Sequence, residues 1–310
     1  MRNHDNSHTP AEVEMSELSP KVADCVSQLQ ALMSRFRRMP NIAPERQPFK
    51  CTKTKGALTV IYPDLTDERH IAGMNDLFGK LIARDRVLQL RCRRHLEAAG
   101  VIDVIEQSAA ERDNDSFTPD YVDLTLLYEA VKIVRPRHVL ELGSGLSTLT
   151  MAKALDELDE GARLTAIEPS AHWAENTERT LPVHLAARVA VLRGESGACE
   201  VAGKPSKVFT NPVDAIPDFI YVDGAPEGAR FMGMETVIAL ENQLPVGTVI
   251  AIDARQRAFG VLLGGGPLKR KYGVMSQGLF VHLPLSTDPH FIGPVWGLDR
   301  YFTTFAVLIE

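Results

Sequence analysis

Only four cysteines occur in the 310 residues, at Cys25, Cys51, Cys92 and Cys199, with no C-x-x-C pair and no regular spacing. That pattern speaks against a disulfide framework and against a zinc site, and it fits a reducing compartment. No apolar run approaches the roughly eighteen residues needed to cross a bilayer. The opening MRNHDNSHTPAEVEMSELSP lacks the apolar centre of a secretory signal, so a cytoplasmic protein with no membrane partner is expected. A surplus of positive charge is also missing. Lys and Arg number 34 against 40 Asp and Glu, a formal charge of −6 that does not suit a dedicated nucleic-acid binder. No internal repeat is visible. What is present, 45% hydrophobic and 24% charged residues, is the composition of a globular chain with room for one large α/β domain and additions, or for two domains.

The first nineteen residues are polar and aperiodic, which predicts a disordered tail over 1–19. From Lys21 the pattern changes. Val22, Val26, Leu29, Met33 and Phe36 recur at helical spacing until Pro40, and ALTVIYP at 57–63 reads as a strand. Ile71, Met74, Leu77, Phe78, Leu81, Ile82, Val87, Leu88 and Leu90 describe one or two further helices ending near Gly100. Residues 20–118 are therefore expected to form a mainly helical region that covers a site, mediates homodimer formation, or does both. Its arginines, Arg84, Arg86, Arg91, Arg93 and Arg94, alternate with Asp85 and Glu97 and read as a solvated helix face more readily than as an RNA-binding stripe.

Beyond about residue 119 short Val- and Ile-rich strands alternate with amphipathic helices, through HVLEL, RLTAIE, RVAVLR, DFIYVD and GTVIAID, to VMSQGLFVHLPL and YFTTFAVLIE. Helices are expected over RFMGMETVIALENQL and from RQRAFGVLL. This alternation predicts an α/β fold with a doubly wound, mostly parallel sheet, closed by an antiparallel pair because no helical pattern separates the last two strands. The stretch 197–217 is long for a strand-to-helix connection and is expected to form an excursion at one end of the sheet.

In such a sheet ligands sit beyond the carboxyl ends of the strands, where the first strand-to-helix turn brings backbone closest. VLELGSGLSTLTM, residues 139–151, has the makings of that turn. Gly143 and Gly145 allow close approach and unusual dihedrals, and Ser147 or Thr148 is placed to cap the following helix. A dinucleotide reader calls for a third glycine where Thr148 stands, and Glu141 repels a pyrophosphate while suiting the amino group of a methionine moiety. The sign of that charge favours a sulfonium cofactor over NAD. The bland reading of Glu141 and Glu168 is that of satisfied strand-end carboxylates.

VLELGSGLSTL resembles the first motif of the class I S-adenosylmethionine-dependent methyltransferases, particularly the small-molecule O-methyltransferases, and the order of elements over 119–310 is similar to their seven-stranded sheet with its antiparallel C-terminal hairpin. The resemblance implies S-adenosyl-L-methionine as cofactor, bound by Glu141, Gly143, Ser144 and Gly145. It further implies Glu168 and Pro169 of LTAIEPS at the ribose, Glu195 and Ser196 of VLRGES near the adenine, and Asp223 of DFIYVDG at the mouth of the active site. Glutamate at 195 departs from the aspartate usual there.

Methyl transfer needs alignment and, for a hydroxyl acceptor, a base; few catalytic groups are obligatory. Asp223, Asp253 and His290 are the catalytic candidates, with a helix N-cap as the bland role of Asp253 and a solvated loop position as that of His290. One subset of the family binds Mg²⁺ through aspartates at the places of Asp223 and Asp253, but Ala254 replaces a further ligand, so Mg²⁺ is not favoured and no metal residue is assigned. His172 reads as solvated, with Trp173 beside it able to stack on adenine, and Arg230 and Arg255 read as surface ion pairs. LLGGGPLKRKYG lacks the ending of a phosphate-binding loop. The expected function is methyl transfer to a small-molecule acceptor, most plausibly at a hydroxyl. The rivals are a catalytically silent interaction subunit, an RNA methyltransferase and, weakest, an NAD-linked oxidoreductase.

Overall fold

The computed structural model describes residues 18–37, 50–55, 58–62, 68–109, 119–158, 161–253, 258, 261–262, 267–275, 279–281 and 303–310. Asp120 opens the α/β part by accepting from the N–H groups of Val122 and Asp123, capping α4 (Tyr121–Val134). Arg135, in the left-handed conformation, ends that helix and turns the chain into β3 (His138–Leu142), which is buried throughout. There follow α5 (Leu146–Asp156), β4 (Arg163–Glu168), α6 (Ala171–Thr180), the short α7 (Val183–Ala186), β5 (Val189–Arg193), β8 (Phe219–Val222), α8 (Met234–Leu240), β9 (Val249–Ile252), β10 (Tyr272–Met275) and β12 (Thr304–Leu308).

The seven strands lie in the order β10-β12-β9-β8-β3-β4-β5. β9, β8, β3, β4 and β5 are mutually parallel, and β12 runs antiparallel to both β9 and β10. This is the doubly wound sheet with its antiparallel C-terminal pair. Alternation along each strand sorts side chains to two cores. Val139, Leu164, Ala166, Phe219, Tyr221, Val249, Ala251, Phe305 and Val307 face one, shared with α4 and α5. Leu140, Leu142, Ile167, Ile220, Val222, Ile250, Ile252, Ala306 and Leu308 face the other, shared with α8.

The N-terminal helices join the first of these cores. Ser19 caps α1 (Pro20–Arg35), whose Val22, Val26, Leu29, Leu32 and Met33 are buried, each contributing about 1.5–3 kcal/mol by removal from water. The second expected helical stretch is one helix, α2 (Glu68–Ala98), followed by α3 (Val101–Ala109). Leu77, Leu81, Leu88, Cys92 and Leu96 form its buried stripe, whereas Ile82, Val87 and Leu90 are 56%, 66% and 62% exposed. At 100° per residue those three fall on the side opposite the stripe, so apolar character alone did not assign them to the core. All five arginines of the run are exposed, as a solvated face requires, and three of them also reach neighbours. Arg84 Nε donates to the Arg37 carbonyl at 2.7 Å, Arg91 lies over the Phe36 ring, and Arg93 pairs with Glu106 at 3.1 Å. β1 (Lys50–Lys55) and β2 (Leu58–Tyr62) form an antiparallel pair. Residues 1–17, the greater part of the expected tail, lie outside the described residues. Among the described residues no helix is long and apolar enough to cross a membrane.

Three elements differ from expectation. The apolar run VMSQGLFVHLPL is two strands: β10 belongs to the main sheet, and β11 (Leu279–Val281) pairs in parallel with β2 in a separate three-stranded sheet. Its polar break Ser276-Gln277-Gly278 marks the change of partner. The helix expected over RFMGMETVIALENQL begins only at Met234 and ends in a 3₁₀ turn at Glu241–Gln243, because Met232 and Gly233 both have positive φ (56° and 98°). Finally, the basic run after LLGGG is not simply solvated. The Lys269 and Arg270 amides donate to Glu241, and the Arg270 guanidinium donates to the Glu241 and Leu244 carbonyls.

Candidate functional site

The excursion at 197–217 contains a hairpin, β6 (Ser196–Val201) with β7 (Lys204–Phe209), which starts at the carboxyl end of β5. It stands beside the tips of β4, β3 and β8, where the sequence placed the functional residues. β3 runs straight into the glycine turn. Gly143 has φ 109° and donates its N–H to the Ile167 carbonyl, fixing the turn against β4. A Cβ on Gly143 would stand 3.0 Å from the Gly224 nitrogen, and one on Gly224 2.7 Å from the Gly143 Cα. The turns after β3 and β8 thus touch backbone to backbone, which leaves no space for a side chain at either position. Gly145 differs. Its φ of 155° with ψ −134° is a conformation open mainly to glycine, and a Cβ there would meet nothing within 4 Å, so the turn faces open space. The two glycines serve packing and access respectively.

Glu141 does not project from the strand tip. It shares the parity of Val139 and Tyr221 and so lies under the start of α5, fully buried. Ser147 Oγ contacts its Oε1 at 2.5 Å and Thr148 Oγ1 its Oε2 at 2.6 Å, while Gly145 N–H donates to Thr148 Oγ1 at 2.8 Å. The two hydroxyls expected to cap α5 therefore tie its first turn to Glu141, and Gly145 itself is the N-cap. Burial pushes the Glu141 carboxyl up to about 8, against the lowering effect of the two hydroxyls and helped by the nearby Asp223 and Glu168 charges.

Glu168 ends β4 at 7% exposure. Its Oε1 accepts from the Ser170 N–H at 2.9 Å and its Oε2 from Ser144 Oγ at 3.2 Å, with Ser144 Oγ also 3.0 Å from Thr177 Oγ1. An ionised carboxylate offers about four lone-pair sites, and the Ser144 backbone amide is a third donor to this one, so about one site remains. Burial raises its pKa, opposed by those hydrogen bonds and reinforced by Asp223. Pro169 is exposed beside it. Glu195 and Ser196 are exposed where β5 passes into the hairpin, and Asn211 clamps that junction by accepting from Glu195 N–H at 2.7 Å and donating to the Arg193 carbonyl at 2.8 Å.

Asp223 and Asp253 follow the adjacent strands β8 and β9, their amides donating to Leu142 and Val222 carbonyls at 2.9 and 3.1 Å. His290, Ala254 and Arg255 lie outside the described residues. His172 is exposed and packs edge-on against Trp173. Among the described residues no group of three or more His, Cys, Asp or Glu side chains is arranged to hold a metal ion.

Several contributors escaped sequence reasoning. The loop after β8 is held by Glu235, 2% exposed, which accepts from Phe231 N–H at 2.7 Å, Gly233 N–H at 3.1 Å and the Ser206 hydroxyl of β7. Ser206 Oγ in turn accepts from Arg230 N–H at 2.8 Å, so Arg230 enters through its backbone. Nothing local in METV marks that role. For Ser170 and Thr177 the only signal was proximity to Glu168, and for Gly224 it was the Asp-Gly turn. A separate cavity of about 560 Å³ opens at the opposite, amino end of the sheet, with Arg137, His138, Arg163 and Arg188 in its wall. Arg188 there pairs with Asp156 at 3.1 Å and reaches the Ala162 carbonyl, a structural use at a helix carboxyl end.

A family model described as a methyltransferase domain matches residues 140–254. Among solved structures, the chain is similar to an O-methyltransferase from Bacillus cereus in complex with SAH, at 19% identity over 68% of this chain and 91% of that one, with a TM-score of 0.40. It is also similar to the O-methyltransferase TomG from Streptomyces achromogenes, involved in tomaymycin synthesis and in complex with SAM (17% identity, 68% and 90% covered, TM-score 0.43). A third is the SAH-bound Podospora anserina methyltransferase PaMTH1 (14% identity, 72% and 97% covered, TM-score 0.41). No curated protein gives a significant match.

Proposed function

We propose that this chain transfers the methyl group of S-adenosylmethionine to a hydroxyl oxygen of a small-molecule acceptor, a reading supported by the methyltransferase-domain model that matches residues 140–254. The observation that carries the reading is Glu168, a nearly buried strand-end carboxylate held by Ser144 and Ser170 beside the open space over Gly145. A vicinal diol supplies two donors at the spacing of one carboxylate, and the ribose of the cofactor is such a diol. Gly143, Ser144 and Gly145 with the amino end of α5 receive the methionine part, Pro169 flanks the ribose, and Glu195 and Ser196 border the adenine.

The bound cofactor supplies an electrophilic methyl group; the protein supplies alignment and a base. Asp223, beside Gly224 at the crossing of the two turns, would take the acceptor's O–H proton. Asp253, at the neighbouring tip, orients the acceptor.

Calorimetric titration with S-adenosylhomocysteine tests the cofactor site. Saturation at hundredfold over the dissociation constant stabilises the fold by about 2.7 kcal/mol, and Glu168→Ala weakens binding about tenfold or more. Absence of any stabilisation refutes the reading. The acceptor class is tested with methyl-labelled cofactor and a panel of phenols, catechols and aliphatic alcohols. Label recovered as methyl ether supports oxygen transfer, while label in amines, carbon or RNA, or no turnover on any acceptor, overturns it.

A further inference from the structure

Glu141 occupies the position in the glycine motif from which an electrostatic attraction to the cationic cofactor was expected, yet its surroundings suit a different task. The side chain is fully buried, and its two oxygens are taken by the Ser147 and Thr148 hydroxyls at 2.5 and 2.6 Å. The groups facing it are those two hydroxyls from α5, Glu168 from the tip of β4, and Tyr221 and Asp223 from β8 and the turn beyond it. Among the described residues none of these groups is a cation, and two are acids. Ionising a carboxyl in such a place means removing a charge from water, without a counter-ion, next to two like charges.

We infer that Glu141 is a neutral carboxylic acid in the folded protein and serves as a positioning residue, holding Gly145 and the first turn of α5 through Thr148, while its charge contributes nothing to cofactor affinity. The hydrogen bonds fix where its proton sits. Thr148 Oγ1 accepts from the Gly145 N–H, so its own hydrogen is directed to Glu141 Oε2. The hydrogen of a neutral acid then belongs on Oε1, 2.5 Å from Ser147 Oγ, and reverses that bond: Ser147 donates to an ionised Glu141 and accepts from a neutral one. A chain of two hydrogen bonds thus runs from the β3 carboxyl through Thr148 to the backbone amide of the residue that faces open space. Burial holds the carboxyl up at about 8, in keeping with this assignment. The role in cofactor binding rests on the site proposed above; the neutral state does not.

Two variants of the full-length chain separate charge from brace. Glu141→Gln removes the charge but keeps a donor for Ser147 and an acceptor for Thr148. Thr148→Val keeps the acid and cuts the link to Gly145. Titrated near neutral pH with S-adenosylmethionine and with S-adenosylhomocysteine, Glu141→Gln is expected to bind both within about threefold of the unaltered protein, and Thr148→Val about tenfold more weakly. A folded Glu141→Gln that loses tenfold, or a Thr148→Val that loses nothing, overturns the inference. A wild-type protein that binds neither ligand removes the cofactor site, and with it Glu141's part in binding, but not the protonation claim. That is read in the ligand-free protein by infrared difference spectroscopy. A protonated-carboxyl C=O band present in the wild type and absent in Glu141→Gln is expected, and its absence from the wild type refutes the neutral acid whatever the ligand result.

Discussion

Glu141→Gln removes a single ionisable group from the sealed turn after β3 while keeping its shape, so the pH dependence of the variant's stability relative to wild type reports on that group's proton. Burial, the largest effect, raises the Glu141 carboxyl to about 8 from the 4.5 of an unperturbed glutamate, with the hydroxyls of Ser147 and Thr148 opposing and Asp223 and Glu168 assisting. Between those two values the folded chain keeps the proton and the unfolded chain has lost it. Unfolding then releases a proton, and rising pH favours the unfolded state. Wild-type stability from this group is fully present below about pH 4.5, declines by about 1.4 kcal/mol per pH unit, and levels off above about pH 8. The glutamine variant has no such slope. From about pH 5 to about pH 7 its stability should therefore gain on the wild type by about 2.5 kcal/mol, or roughly 4 °C in melting temperature for a chain of this size. Differential scanning calorimetry of both proteins at matched ionic strength measures it, and contributions from groups common to both largely cancel in the difference. Parallel stability curves across that window would refute the reasoning, since they would mean that Glu141 titrates in the fold as it does in water.

Gly224→Ala places a methyl 2.7 Å from the Gly143 Cα with backbone on both sides; a loss of about 2 kcal/mol or more and of S-adenosylhomocysteine binding is expected from thermal unfolding and calorimetry. Glu235→Ala strips the acceptor from the buried Phe231 and Gly233 amides and should destabilise by about 2–4 kcal/mol in urea denaturation, with Glu235→Gln costing less because one side of the group still accepts. Burial alone would raise Glu157, but hydrogen bonds from Lys153, Tyr128 and Lys132 outweigh it and bring the carboxyl down to about 2. Its stabilisation is present above about pH 4.5 and lost as pH falls toward about 2, so Glu157→Gln should be less stable than wild type at neutral pH and converge with it in acid, as followed by circular dichroism.

The strands were legible as short Val- and Ile-rich runs and their helices by period 3.6, and both are local properties of the chain. HVLEL, RLTAIE, RVAVLR and GTVIAID lie where the pattern put them, and the antiparallel C-terminal pair followed from the missing helix between its strands. α2 was legible as a helix but not in its faces. Its apolar residues are spread too widely for the sequence to say which of Leu81 and Ile82 is buried, and the bodies packed against it decide. The late start of α8 was hidden because Glu235, Ser206 and Phe231 are brought together only by the fold.

By itself the sequence determined the order of elements, the glycine turn after the first buried strand and the presence of acids at the tips of successive strands, since each depends on a few neighbouring residues. Only the tertiary structure decided that Gly143 is claimed by Gly224 while Gly145 is left open, that Glu168 is held by Ser144 and Ser170, and that Glu141 is sealed under α5. Charge and access are properties of the surroundings: the same glutamate is an anion in water and an uncharged acid where two hydroxyls and two carboxylates have replaced the solvent.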